Sequence, residues 1–342
     1  MLNPPAPVLF DEELTLEIVL WGSEPEGEFI LLIVKCDAQP VFVGLIDCYT
    51  NTSKHEALEY LKALGKDKFD FVCWTHPHDD HSVGMVDVCN CCYPINNKNK
   101  TIDSQRPTDI IVPQSVIEAP RLYDFMSENV KFTVTHFREN MKDVRKRRMN
   151  LRAVSGYSTL YTQEFIGDSG RQKYVLCIES FSPAPNLCFH EALGEHRPNF
   201  NFFSVGLVIS IANFRILLAA DIEDGALSVM DAHFLKHGYH YVKIPHHASS
   251  NTIELAKLLR TKSREVLQVA TSTVYRKGNL PHLPVLDEYA SWNNDAKIFI
   301  TSSPHKRSAA GTYGCILTRF FINKHEQNPE FHLEGQACCY GK

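Results

Sequence analysis

The sequence predicts an α/β fold in which sheets are covered by helices around one core. Three observations carry that expectation. Apolar strand-like runs come in pairs and then alternate with segments of helical period. No segment repeats at a fixed interval, which excludes a solenoid. The 342 residues are 44% hydrophobic, 22% charged and 11% aromatic, with 17 Gly and 18 Pro, the make-up of an ordinary globular chain.

Element by element, Leu14, Leu16, Ile18 and Leu20 alternate with other residues, and 29–34 and 41–46 are continuous apolar runs, so two or three neighbouring strands open the chain. From Thr52 the period becomes helical: Ala57, Leu58, Leu61 and Leu64 share a face, Thr52 or Ser53 is the expected cap, and Gly65 stands at the C′ position. A buried strand follows over 69–75. Residues 90–108 carry Asn, Lys and Pro without period and read as a surface insertion. A strand over 109–113 and a helix over 115–127 resume the rhythm. Further strands are expected over 173–180, 203–212, 214–220, 239–244, 265–271, 297–301 and 313–321, with helices over 225–236, 252–259 and 285–292.

Composition narrows the function classes. With 35 Lys+Arg against 40 Asp+Glu the net charge is −5, which excludes a globally basic nucleic-acid coat. A local strip, 142–152 (KDVRKRRMNLR), remains, either a solvated helix face or a phosphate-contacting strip. No run of about 18 apolar residues predicts a membrane span, and 1–9 has neither a basic nor an apolar signal region, so the cytoplasm is expected. The 11 cysteines are odd in number and scattered through apolar contexts, as suits reduced thiols. Cys89, Cys91 and Cys92 lack the spacing of a structural zinc site. The unusual count is 16 His.

Four of the residues that matter most lie in 75–84, THPHDDHSVG, directly after the strand at 69–75: His76, His78, Asp80 and His81. Imidazole nitrogen and carboxylate oxygen are ligands that Zn²⁺ and Mn²⁺ accept, and two histidines one residue apart in an extended loop can face one centre while Asp80 and His81 face another. By composition such a pattern arises by chance in roughly two chains in a thousand. Other strand ends supply further candidates: Asp47 closes VFVGLID, Asp221 closes RILLAAD, and His246 and His247 follow YVKIP.

HPHDDH resembles the HxHxDH signature of the metallo-β-lactamase superfamily, with Asp47, Asp221 and the His246/His247 pair at its other motifs. NFFSVGLVISIANFRILLAADIE and YVKIPHHASSNT further resemble the soluble hydrolase domain of ComEC-type competence proteins, as do NLPHLPVLDEY, KIFITSSP and TYGCILT. The resemblance implies an αββα sandwich of two mixed sheets flanked by helices, a single domain over 1–342 with its core at about 14–322 and insertions at about 90–108, 130–170 and 182–200. His78 restores the histidine that the ComEC-type pattern replaces with Asp. LLAAD and HHAS put Ala where that pattern has Gly, a mild change unless the backbone there needs positive φ. The superfamily's third histidine motif has no clear counterpart; Asn201 stands where the ComEC-type pattern places its asparagine, and His190 or His196 is a candidate substitute.

The resemblance further implies two divalent metal ions, Zn²⁺ or Mn²⁺: His76 and His78 for one, Asp80, His81 and His247 for the other, Asp221 between them, and His246 as the alternative to His247. Asp47 and Asn201 are expected to hold ligands in place, and Ser249, Asn279 and His282 to contact substrate. Asp80 and Asp221 are expected to work on a bridging hydroxide, with His282 as proton donor to the leaving group. The implied activity is hydrolysis of phosphodiesters, with DNA or RNA as the substrate and antiphage defence, with a protein partner in a multi-component system, as a setting. Hydrolysis of a small phosphodiester, cyclic nucleotide or lactone, and a non-catalytic regulatory module with a degraded site, are the alternatives.

Overall fold

The computed structural model describes residues 4–23, 27–50, 54–92, 106–142, 150–230, 234, 238–261, 269–272, 280–292, 297–303, 312–324 and 327–341. In chain order the first half contains β1 (Val8–Phe10), β2 (Leu14–Ser23), β3 (Glu28–Cys36), β4 (Gln39–Ile46), α1 (Glu56–Ala63), β5 (Phe71–Cys73), α2 (Met85–Cys91), β6 (Asp109–Pro113), α3 (Gln114–Glu118), α4 (Glu128–Lys142), β7 (Asn150–Val154) and β8 (Ser158–Gly167). The second half contains β9 (Lys173–Ser180), α5 (Pro185–Leu193), β10 (Leu207–Ile211), β11 (Phe214–Leu218), α6 (Asp224–Leu227), β12 (Tyr241–Lys243), α7 (Ile253–Arg260), β13 (Val269–Ser272), α8 (Leu283–Ala290), β14 (Lys297–Ile300), β15 (Tyr313–Phe321), β16 (Glu330–Gly335) and β17 (Cys338–Cys339).

One sheet has the order β16-β15-β2-β3-β4-β5-β6-β7 and the other β1-β8-β9-β10-β11-β12-β13-β14-β17. Both are mixed. The step from β4 to β7 is parallel throughout, and so is the step from β11 to β14. Strand parity explains how they stack. Leu14, Leu16, Ile18 and Leu20 of β2 and Ile30, Leu32 and Val34 of β3 share one cluster with Phe165, Ile178, Ile209 and Ile216 of the opposite sheet. The alternate residues Val19, Phe29, Leu31 and Ile33 pack instead with Ala57 and Leu61 of α1, Val88 of α2 and Val134 of α4. Leu217 and Val242 on the outer face of the second sheet pack on Leu255 and Leu259 of α7 and Leu286 of α8. A strand apolar on both faces needs cover on both. The result is the αββα sandwich, two mixed sheets flanked by helices.

Several elements differ from expectation for local reasons. The helix over 115–127 breaks at Pro120, which cannot donate into the preceding turn; α3 ends at Glu118 and a 3₁₀ turn spans Pro120–Phe125. The strand expected over 203–212 begins at Leu207, because Asn199 accepts the Asn201 N–H and winds Phe200–Phe203 into a 3₁₀ turn. The helix expected over 225–236 is α6 alone among the described residues. α1 is capped by His55, whose Nδ1 accepts from Leu58 N–H, while Thr52 and Ser53 lie outside the described residues; Gly65 ends the helix at φ +72°. Of the segments read as insertions, 93–105 lies outside the described residues, 150–167 supplies β7 to one sheet and β8 to the other, and α5 packs on α3. Within the basic strip, 143–149 lies outside the described residues, and Arg152 donates from Nη2 to Leu160 O inside the fold. None of the cysteines is in a disulfide; Cys89 and Cys92 are buried and Cys91 donates to Asp67 O. No helix among the described residues is long and apolar enough to cross a membrane.

Candidate metal centre

The candidate residues lie just past the carboxyl ends of parallel strands: Asp47 after β4, 76–81 after β5, Asp221 after β11, His246 and His247 after β12. This is where an α/β sheet releases its chain into loops and leaves side chains free to converge. Asp47, at φ +57°, turns its carboxylate back: Oδ1 accepts from Thr75 N–H at 2.7 Å, and Oδ2 accepts from Thr75 Oγ1 at 2.6 Å and lies 2.8 Å from His81 Nδ1. The loop at 76–81 is closed by His81 N–H to His78 O and by Ser82 Oγ to His78 O, with Trp74 Nε1 donating to Ser82 Oγ at 3.0 Å. Ser127 Oγ donates to Asp79, holding that carboxylate in a separate contact. On the other sheet, His246 N–H donates to Ala220 O at 3.0 Å and joins the two ligand turns.

Those turns carry uncommon backbone. Ala220, His246, His247 and Ala248 have φ of +47°, +45°, +50° and +59°. The left-handed region costs an L residue about 1–2 kcal/mol, and such outliers gather at functional sites. Ala220 and Ala248 are the positions where the resembled pattern has Gly, and both take positive φ, so alanine there carries a backbone cost that glycine would not.

The side chains converge in two groups that share Asp221. Asp80, His81, Asp221 and His247 bring ligand atoms within 4.8 Å of one another, and so do His76, His78 and Asp221. His247 Nε2 lies 3.1 Å from Asp80 Oδ2; His81 Nε2 lies 3.5 Å from Asp80 Oδ2 and 3.6 Å from Asp221 Oδ1; His76 Nε2 lies 3.4 Å from Asp221 Oδ2. His76, His81, Asp221 and His247 are at most 1% exposed.

A metal fits this donor set. His76 Nε2, His81 Nε2 and Asp221 Oδ1 are buried without a hydrogen-bond partner. Leaving such atoms bare costs about 1–3 kcal/mol each. Their mutual distances are long for hydrogen bonds, yet two donors each 2.0–2.1 Å from one tetrahedral ion stand about 3.3 Å apart. Charge points the same way. Burial opposes ionisation of Asp80 and Asp221, yet the histidines around them hold both carboxyls well below the usual range: His81 and His247 beside Asp80, and His81, His76 and His246 beside Asp221. Burial likewise opposes a charged His81, but Asp80, Asp221 and Asp47 raise it well above the ordinary value. Buried anions that draw a proton onto a ligand imidazole will draw a divalent cation more strongly. His78, by contrast, is pushed down to about 4 by burial and by His76, so it is neutral and able to ligate.

The remaining candidates sit around this centre. His246 Nδ1 pairs with Glu223 Oε1 at 3.2 Å while its Nε2 is 3.9 Å from Asp221, so its ring faces a different carboxylate from that of His247. Asn201 Nδ2 donates to Glu223 Oε1 at 2.7 Å and Asn199 Nδ2 donates to Oε2 at 2.9 Å; despite burial, His246 and then these asparagines lower Glu223 to about 2. Ser249 is half-buried after the His247 turn, its N–H donating to His246 O. His282 is exposed; its N–H donates to Ala248 O at 2.8 Å, which sets it beside the same turn. Asn279 lies outside the described residues. His190 and His196 do not join the centre and instead flank Glu191. Cavities of about 150 and 360 Å³ lie by Arg106 and Tyr161 and contain none of the candidate residues.

Glu28 and Lys243, like Glu223, are absent from the sequence candidates. Glu28 is 3% exposed; its Oε1 is 2.7 Å from Lys243 Nζ and its Oε2 3.7 Å from His247 Nδ1. Burial works against its charge, but Lys243, His247 and His81 lower its pKa. The available signal was a lysine inside the apolar run YVKIP, a charge that a buried strand carries only with a partner.

No family model matches this chain, and no curated protein matches it. Among solved structures, one described as a new diphosphatase from the PhnP family aligns with 75% of this chain and 85% of its own at 12% identity, with a TM-score of 0.37. At that similarity it assigns no family to this chain.

Proposed function

We propose that the protein is a dinuclear-metal-dependent hydrolase of phosphodiesters. The observation that carries this is the pair of buried ligand groups sharing Asp221, with unpartnered ligand atoms on both sides of it. Asp80, His81 and His247 would hold one cation, His76 and His78 the other, and Asp221 would reach both. Divalent cations bound there supply Lewis acidity, polarising a phosphoryl oxygen and lowering the pKa of water.

The chain's own residues do the rest. Asp47 fixes His81 with Nδ1 toward its carboxylate, which leaves Nε2 for ligation. Asp80 stays ionised below its usual range and therefore orients water as an acceptor more than it takes the proton. Attack by water forms one P–O bond and releases one proton of that water to solvent as the bond to the leaving oxygen breaks, and His282, exposed beside the ligand turn, donates its own proton to that oxygen and is reprotonated from solvent. Ser249 and Asn279 are proposed contacts for the phosphoryl oxygens. Nucleic acid is the finer part of the proposal and rests on the ComEC-type motifs.

The test is metal analysis of the purified protein, then incubation with Mn²⁺ or Zn²⁺ and single-stranded DNA, double-stranded DNA, RNA or bis(p-nitrophenyl) phosphate. Wild type should cleave and Asp80→Ala/His81→Ala should not. Equal metal content and equal cleavage in both would refute the site. Cleavage of the small ester without any polymer would refute the nucleic-acid part alone.

A further inference from the structure

Outside the central groups, the described residues contain another set of metal-ligand type: His190 and Glu191 in the last turn of α5, and His196 beyond it. We propose that these three side chains form a separate Zn²⁺ site. His196 Nε2 lies 3.2 Å from Glu191 Oε1, His190 Nδ1 lies 3.8 Å from the same oxygen, and the rings are 5.5 Å apart. Donor separations near 3.3 Å are those of a tetrahedral ion, and three protein ligands leave one position open to solvent.

An ordinary pair accounts for His196, whose Nε2 lies 3.2 Å from both Glu191 oxygens, but leaves His190 unexplained. The Glu191 carboxylate is buried, 7% exposed on its side chain, and already accepts Asn199 N–H at Oε2 with a 2.9 Å bond. One carboxylate needs one cationic partner, and two protonated imidazoles at this spacing repel; two neutral imidazoles and one carboxylate around a divalent cation satisfy all three. The chain is also shaped to bring His196 back over the helix end. A Cβ on Gly194 would meet His196 Cε1 at 2.4 Å, so the ring occupies the space that a side chain at 194 would take. Arg121 donates to the carbonyls of Glu191 and His196 and pins both ends of the turn.

Asn199 donates its N–H to Glu191 and its Nδ2 to Glu223, which in turn pairs with His246. A cation on Glu191 would therefore fix the turn that orients Glu223 at the edge of the central groups.

The experiment titrates Zn²⁺ alone into metal-stripped full-length protein and reads bound equivalents by native mass spectrometry. Cobalt substitution gives tetrahedral visible absorption as a second readout. His190→Ala/His196→Ala should bind one equivalent fewer than wild type, and His196→Ala alone should weaken that equivalent at least tenfold. Both histidines are largely exposed, at 73% and 48% of their side chains, so circular dichroism should show an unchanged fold. In His76→Ala/Asp221→Asn the central equivalent of His76 and His78 should be lost, that of Asp80, His81 and His247 should remain, and one further equivalent should disappear when His190→Ala/His196→Ala is added. Equal stoichiometry in wild type and His190→Ala/His196→Ala overturns the proposal whatever happens at the central groups; loss of no metal in His76→Ala/Asp221→Asn overturns the central reading alone.

Discussion

Asp47→Asn is the most informative single change, because Asp47 touches two neighbours of the centre without being in either Asp221-sharing group. Its carboxylate accepts from Thr75 N–H at 2.7 Å and from Thr75 Oγ1 at 2.6 Å, and pairs with His81 Nδ1 at 2.8 Å. Asparagine keeps one acceptor oxygen and the shape, so the Thr75 N–H bond survives. Its NH₂ group, facing His81, demands an unprotonated Nδ1 and so moves the imidazole proton to Nε2, the atom that would ligate. Removing such a support typically costs 10–100-fold in metal affinity, about 1.4–2.7 kcal/mol. Competition with a chromophoric chelator should therefore show Zn²⁺ or Mn²⁺ held about 10–100-fold more weakly. Thermal unfolding of the metal-free proteins should differ much less, since most of the hydrogen bonding is retained. Equal metal affinity within twofold in wild type and Asp47→Asn would refute the role assigned to Asp47 and the use of His81 Nε2 as a ligand.

Metal removal should itself destabilise the protein. A cation at 100 times its Kd contributes about 2.7 kcal/mol, so a chelator should lower the urea midpoint of wild type, and lower that of Asp221→Asn/His81→Ala by clearly less. Ala220→Gly and Ala248→Gly should be near neutral, within about 1 kcal/mol, because relief of positive φ offsets the flexibility gained by the unfolded chain and, at buried Ala248, the lost methyl. Ala248→Val should cost about 3 kcal/mol or more by the same denaturation assay, since a β-branched side chain fits neither the backbone nor the packing there. His240 gives a pH signature: burial lowers it to about 4, and its Nδ1 accepts Arg215 N–H at 3.2 Å. The unfolded chain takes up a proton near pH 6.5 and the folded one near 4, so stability is full above 6.5 and falls as pH drops toward 4. His240→Gln in chelator should be less sensitive across that window; identical profiles would contradict the assignment.

Much of this molecule is legible in its sequence because the signals are local. A strand such as β2 or β3 shows its two buried faces through alternating positions that are all apolar, and that alone calls for cover on both sides. Thr75 to Gly84 concentrates ligand types at one strand end, and residues that close in sequence stay close in any fold. Asp221 and His247 were visible as polar residues terminating apolar runs. Pro120 and Asn199, by contrast, reset element boundaries through short-range effects that periodicity does not see.

What depends on distance along the chain was decided by the tertiary structure. Glu28 and His247 are more than two hundred residues apart, and their approach follows from the packing of one sheet on the other, with Lys243 neutralising a carboxylate that no local pattern marks. Positive φ at Ala220 and Ala248 is likewise invisible in alanine, a residue that favours right-handed backbone; the two ligand turns impose it. His190 and His196 were open substitutes for a missing histidine until the fold set them around Glu191 instead. The sequence thus determined which atoms could bind a cation. Only the packing of two sheets, which places strand ends against each other at ångström separations, decided which of those atoms share one.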